Sequence, residues 1–253
     1  MIDLDWHPAG EHLVSARAGD VAVLRIDRPA KLNALTPAML PAIAERIRRL
    51  AADSAGLVLT GTGRAFSAGD DLDATADLDR GGFETLIAGF QDMTRAVLDT
   101  EVPVVAALNG LAVGGAAELT LACDARVGGR EAAFFFPENG IGLTISNGST
   151  YLLPRILGTQ ALPLVLAGGR IDAAEALRVG LLTEIADDPT QRAVDMVGAW
   201  AAEGHATRWH LRLMRPDPTA VEAAMARETV AALEVFDAGI ATAGAAAFRD
   251  RRS

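Results

Sequence analysis

Apolar residues recur along this chain in two rhythms, short unbroken runs and stripes at helical spacing, and the way the two alternate is the first guide to its fold. Val21 to Ile26 is a run closed by Arg28-Pro29, and since proline offers no ladder donor it predicts a strand. Ile43, Ile47 and Leu50 then recur at helical spacing behind Thr36-Pro37, which suits an N-cap followed by the first helical position. Leu57 to Thr60 is a second strand, which makes strand, helix and strand the start of a right-handed crossover unit. The pattern continues with a loop over 74–82, a helical stripe at Leu86, Phe90, Met93 and Val97, and a buried run from Val104 to Leu108. Short strands follow at 125–127 and 133–136, and helices at 150–157 and 160–167, with Pro154 and Pro163 at their boundaries or kinks. Asp172 with Glu175 three residues on begins a capped helix, and 182–185 is a last short strand. From Pro189 the pattern is helical to the end, broken near Gly204 and at Pro216-Asp217-Pro218. An alternating α/β core over 1–188 and a helical C-terminal region over 189–253 are therefore expected.

Composition narrows the function. The chain has 253 residues, half of them hydrophobic, which is enough to bury a full core. A formal charge of −10 argues against a nucleic-acid or anionic-membrane surface. The N-terminal stretch MIDLDWHPAGEH lacks the basic and apolar regions of a signal peptide, and no apolar run reaches membrane-spanning length. A single cysteine, Cys123, sits among apolar neighbours and fits a buried thiol in a reducing compartment, so a cytoplasmic protein is expected.

Candidate chemistry concentrates between Pro103 and Glu138. Gly114-Gly115 follows a strand and a turn and opens a helix, where backbone N–H groups lack intrahelical partners and can meet developing negative charge. Glu118 lies one turn into that helix among Ala117, Leu119 and Leu121, and Glu138 follows Pro137 just past a strand end. Alone, the first would be an exposed helix residue and the second a loop carboxylate. Upstream, Gly61-Thr62-Gly63 follows a strand, but Phe66 stands where a dinucleotide fingerprint needs its third glycine. The segment is better suited to a tight turn that exposes the N–H groups near Ala68 and Gly69, with the 74–82 loop as a lid beside it. Ser146 has no nucleophile-elbow context, and His7, His12, His205 and His210 lack metal-ligand spacing. Phe134-Phe135-Phe136 reads first as core.

Taken together, RPAKLNAL at 28–35, GTGRAFSAGDDL at 61–72, NGLAVGGAAEL at 109–119 and FPENGIGL at 136–143 resemble, in order and spacing, the enoyl-CoA hydratase/isomerase (crotonase) superfamily. LLPRILGTQAL and the terminal AAAFRDRR extend the resemblance over most of the chain. It implies an α/β, crotonase-like core of repeated ββα units with a helical C-terminal trimerisation region, in a homotrimer or hexamer. It further implies acyl-CoA thioester substrates, with coenzyme A as part of the substrate and no metal or other cofactor. By the same resemblance, the N–H groups of Ala68 and Gly115 form an oxyanion hole. Ala30, Lys31, Leu32, Asp70, Leu72, Gly114 and Pro137 lie along the substrate, and Glu118 and Glu138 act on one water in hydration of a 2-enoyl-CoA. The turn after Glu138 reads GLTISNGST, and Ser146 stands where related hydratases tend to carry glycine, which bears on the backbone donor expected beside the carboxylates. Isomerisation, thioester hydrolysis or decarboxylation with one glutamate, and acyl-CoA binding without catalysis, are the alternatives.

Overall fold

Runs that are adjacent in the sequence rhythm end side by side in space. In the computed structural model of the chain, which describes residues 4–241, 243 and 244, the strands are β1 (His7–Gly10), β2 (Leu13–Ala18), β3 (Val21–Ile26), β4 (Gly56–Gly61), β5 (Ala65–Ser67), β6 (Val104–Leu108), β7 (Leu111–Val113), β8 (Ala125–Gly128), β9 (Ala133–Phe135), β10 (Arg170–Asp172) and β11 (Glu184–Ile185). The helices are α1 (Met39–Ala52), α2 (Arg80–Leu98), α3 (Gly115–Leu121), α4 (Ser149–Leu157), α5 (Ala161–Ala167), α6 (Ala173–Val179), α7 (Pro189–Trp200), α8 (Thr207–Met214) and α9 (Pro218–Asp237).

One sheet has seven strands in the order β1-β2-β3-β4-β6-β8-β11, and a second has four in the order β10-β9-β7-β5. The pairs β4/β5, β6/β7 and β8/β9 each send their first strand to the large sheet and their second to the small one, and α2 or α3 follows the first two pairs. These are the repeated ββα units expected from the resemblance. Strict alternation sorts the large sheet's two faces. Leu57, Leu59, Val104, Ala106 and Leu108 join the core containing α1 and α2, while Val58, Val105 and Ala107 pack with Val194 and Val197 of α7. Because both faces are covered, β4 and β6 read as unbroken apolar runs.

Several boundaries depart from the expectation for physical reasons. α1 begins at Met39, whose N–H bonds the Thr36 carbonyl at 2.9 Å, so no side chain caps it. α2 begins at Arg80, inside the expected loop, because the Asp79 carboxylate accepts the Gly82 N–H at 2.8 Å and caps the helix early. The three-residue strands β5, β7 and β10 are too short to show alternation. The division at 188/189 falls between the large sheet and the helix that covers one of its faces, so α7 belongs to the core's packing. Among the apolar residues of the C-terminal helices, Met225 and Leu233 are buried in this chain, and Leu213 is 78% exposed. Phe134 and Phe136 are wholly buried, as the core reading requires. The terminal AAAFRDRR lies outside the described residues. Among the described residues, no helix is long and apolar enough to cross a membrane.

Candidate active site

Parallel pairing of β5 with β7, Ala65 opposite Leu111 and Ser67 opposite Ala112, brings the turns that follow them together. Leu32 and Asn33 both take left-handed backbone conformations, and the buried Asn33 amide donates to the carbonyls of Thr62 and Ala65 at 2.9 and 2.8 Å. That side chain fastens the 28–35 turn to the 61–67 turn. Gly69 then packs so tightly on the second turn that a Cβ there would lie 2.5 Å from the Val113 carbonyl oxygen, at a φ of +77° that also favours glycine.

Hydrogen bonding within this turn corrects the assignment of Ala68. Its N–H is spent on the Leu32 carbonyl at 2.9 Å, and the Gly69 N–H is held by Ser67 Oγ at 3.1 Å. Leu35 bridges to Asp70, donating to the Gly69 carbonyl at 2.7 Å and accepting from the Asp71 N–H at 2.9 Å. The parallel bridge turns the Asp70 N–H the other way, and among the described residues it has no acceptor. Gly115 is the second such donor. The Gly114 N–H is taken by the Phe135 carbonyl at 2.9 Å, while Gly115 begins α3 and has no intrahelical acceptor. A Cβ on Gly115 would strike the Phe90 ring at 2.5 Å, so α2 fixes this backbone from behind.

Both glutamates are buried beside these donors. Glu118 is 1% exposed on α3, and Glu138 is 5% exposed in the 3-10 turn Glu138–Ile141. Glu138 Oε1 lies where a side chain on Gly114 would be, 2.9 Å from the position of its Cβ, and Gly114 has φ +53°. Glycine is therefore required twice over at that position. Glu118 Oε2 accepts the Ser146 N–H at 2.7 Å, so the backbone donor expected from the turn after Glu138 is present without a glycine. Asn147 and Gly148 take the left-handed conformations instead, and Asn147 donates to the Gly115 carbonyl at 2.9 Å.

Burial raises the proton affinity of both carboxyls. Burial raises the Glu118 carboxyl well above its ordinary range, and the charges of Glu138 and Glu228 add to the rise. Burial pushes Glu138 up to about 7. Asp70 is also raised to about 7, by burial and despite a hydrogen bond from Thr75. Hydrogen bonding leaves capacity unused here. Glu138 Oε2, Asp70 Oδ1 and Thr144 Oγ1 are buried without partners among the described residues.

The remaining expected positions surround this centre unevenly. Ala30 and Lys31 are exposed, with Lys31 Nζ 3.2 Å from Asp73, whereas Leu32 and Leu72 are half-buried and Pro137 is buried directly before Glu138. Asp71 is a strut: burial pushes its carboxyl up, but the Arg28 guanidinium, 2.5 Å away, and the Ala74 and Asp73 N–H groups together hold it below the ordinary range. Among the described residues, no three His, Cys, Asp or Glu side chains are grouped to hold a metal ion. Two contributors escaped sequence reasoning, the Asp70 N–H and the buried Glu228. The second left a signal, because Val221, Met225, Glu228 and Ala232 lie on one helical stripe.

Residues 16–243 match the family described as Enoyl-CoA hydratase/isomerase. The chain is similar to a crotonyl-CoA hydratase of Syntrophomonas wolfei, 35% identical over 181 residues, which is 70% of each chain. It is also similar to a short-chain-enoyl-CoA hydratase of Clostridium acetobutylicum, 36% identical over 70% of this chain and 69% of that one. The solved structure of an enoyl-CoA hydratase/isomerase from Pseudoalteromonas atlantica T6c superposes with a TM-score of 0.84 at 29% identity, covering 96% of this chain and 98% of that one.

Proposed function

The chain belongs to the enoyl-CoA hydratase/isomerase family, and we propose that it adds water across the 2,3 double bond of a 2-enoyl-CoA to give a 3-hydroxyacyl-CoA. The observation that carries this reading is the pair of buried carboxyls, Glu118 and Glu138, beside two unspent backbone donors.

The thioester oxygen accepts hydrogen bonds from the N–H groups of Asp70 and Gly115. Attack at C3 pushes charge onto that oxygen as an enolate, and donors already in place lower the barrier without reorganising; one such donor is worth about 3–4 kcal/mol in well-studied hydrolases. The ionised glutamate takes a proton from water as its oxygen bonds C3, and the protonated glutamate gives its proton to C2. One water is consumed and the pair ends with one proton, as it began. Like charges at close quarters favour this half-protonated state. The Ser146 N–H keeps Glu118 oriented through the exchange. Coenzyme A enters as part of the substrate, and the charge that develops is met by the two N–H donors.

Incubation with crotonyl-CoA tests the reading, with loss of the conjugated-enoyl absorbance as the expected result. Release of free thiol would assign thioester hydrolysis instead, and saturable binding without turnover would assign an acyl-CoA-binding protein. A structure with bound acyl-CoA whose thioester oxygen lies beyond hydrogen-bond reach of both N–H groups would sink the oxyanion assignment.

We also infer assembly into trimers or pairs of trimers through α8, which leaves Trp209, Leu213 and Met214 at 62%, 78% and 75% exposed. Light scattering that returns the 26.4 kDa chain at every concentration would count against it. A cytosolic setting suits the buried Cys123, whose thiol burial pushes up to about 12.

A further inference from the structure

Behind the two glutamates of the site stands a third. Glu228 projects from the middle of α9 and is 3% exposed, on the same buried stripe as Val221, Met225 and Ala232. Its Oε2 accepts the Gly148 N–H at 2.7 Å, and its Oε1 accepts the Thr150 N–H at 2.8 Å and the Thr150 hydroxyl at 2.6 Å. All three are donors at the start of α4, where backbone N–H groups have no partner within the helix. The carboxylate therefore binds the turn between the 3-10 segment that carries Glu138 and α4. A Cβ on Gly148 would lie 2.9 Å from Val221, so no other residue lets α9 approach this closely.

That turn is the one that supplies the Ser146 N–H to Glu118 Oε2 and the Asn147 amide to the Gly115 carbonyl. Both units of the site thus hang on it: Glu118 through the first bond, and the peptide that follows the Gly115 donor through the second. α9 is itself fixed from the other side, because the buried Gln91 of α2 donates to the Met225 carbonyl at 3.1 Å and to Thr229 at 3.0 Å.

We propose that Glu228 is a positioning residue for the reaction: by clamping the 146–150 turn to α9 it holds the Ser146 N–H on Glu118 and keeps that carboxylate in one orientation. The inference deepens the hydration reading and takes its purpose from it. A valine or leucine would fill the same space on the stripe and leave the α4 donors unsatisfied, so packing does not account for a carboxylate here. The charge matters as well as the clamp. The charged groups whose fields reach Glu118 are Glu138, from the 3-10 turn, and Glu228, from α9.

Three variants and two readouts test this, in the full-length protein. Glu228→Gln keeps the shape and removes the charge; kcat for crotonyl-CoA hydration should fall about tenfold to a hundredfold while KM stays within about twofold, the pattern of a misplaced catalytic group. Carboxyl-carbon NMR of glutamate-labelled protein, with the Glu118 signal assigned by Glu118→Gln, should show Glu118 titrating at lower pH in Glu228→Gln, because a like charge has gone. Thr150→Val and Glu228→Asp keep the charge but loosen the clamp, so kcat should fall with less displacement of the Glu118 titration. Wild-type kcat and an unmoved Glu118 signal in Glu228→Gln would overturn the proposal, as would a loss of activity that merely tracks the folded fraction by circular dichroism. If Glu228→Gln does not fold, wild-type kcat in both Thr150→Val and Glu228→Asp would overturn it. A wild-type protein that leaves crotonyl-CoA unchanged, yet whose Glu118 signal responds to Glu228→Gln, would remove the hydration reading and keep the clamp.

Discussion

Glu228 and Glu138 are the same residue type at nearly the same depth, 3% and 5% exposed, and the protein treats them oppositely. Three donors surround the first, while one oxygen of the second has no partner among the described residues. Burial penalises any carboxylate charge, and donors repay that penalty. A carboxylate saturated with donors becomes a strut that ties α9 to α4. One starved of them holds its proton up to about pH 7 and keeps its hydrogen-bonding capacity for whatever enters the site. The difference lies in the surrounding backbone, because Glu228 faces a helix start and Glu138 sits over the bare Cα of Gly114.

The strongest way to break the comparison is to remove the carboxyls of the site. Glu138→Gln and Glu118→Gln should each lower the hydration rate by about 10²–10⁴-fold, and the double variant should lose much less than the product, since the two act as a unit. Stopped-flow or steady-state absorbance of the enoyl thioester measures all three. Full activity in Glu118→Gln with none in Glu138→Gln would select a single-glutamate reaction, to be tried with a 3-enoyl-CoA.

A smaller loss should follow from crowding the site without touching a carboxyl. Gly114→Ala forces a side chain into a left-handed φ and against Glu138 Oε1, and about a hundredfold loss in kcat is expected for a displacement of that kind. Gly140→Ala, where a Cβ meets open space, is the control and should be silent.

Stability against pH sharpens the contrast with a weaker signal. Glu138 binds its proton more tightly in the fold than its ordinary value of 4.5 allows. Its contribution is therefore complete below about pH 4.5 and lost as pH rises through about 7. Glu138→Gln mimics the protonated form, so its Tm should match wild type at pH 4 and exceed it by a growing margin up to pH 8. A margin that grows as pH falls would reverse the assignment. The smallest effect belongs to Glu175, which takes two hydrogen bonds from Arg178 at 2.6 and 2.5 Å in full contact with solvent. Glu175→Gln should leave Tm unchanged within error, because water serves such a group nearly as well as its partner does.

The glycine turns and both catalytic candidates were legible in the sequence because glycine, proline and a charge inside an apolar stripe are local signals. So was the capped start of α6, although the Glu175 carboxylate closes on Arg178 and leaves the capping box one-sided. The choice between Ala68 and Asp70 as donor was not legible. It depends on a single parallel bridge to Leu35, thirty-odd residues upstream, which decides which N–H groups of the turn face inward. Glu228 lay hidden for a related reason: a glutamate in a helix is ordinary until the stripe it shares with Val221 and Met225 is seen to be the buried one. Of the second sheet only β9 was legible, because β5, β7 and β10 have three residues each, less than two full alternations.

The distribution of each strand pair between two sheets also governs how the chain can find its fold. β4 and β5 are neighbours in sequence yet never pair, so no hairpin can form early in that unit and lend its stability to the next. The local pairings are β1 with β2 and β2 with β3, whereas β3 must wait for β4 across α1 and β4 for β6 across α2, with Val21 meeting Gly56 and Leu57 meeting Val104. Loop closure has to be completed before those parallel ladders reward it, which places refolding in the slow range of milliseconds to seconds or beyond. Until β6 docks, β4 carries an unpaired edge of six buried residues, and in that interval the nascent chain is most exposed to pairing with a copy of itself.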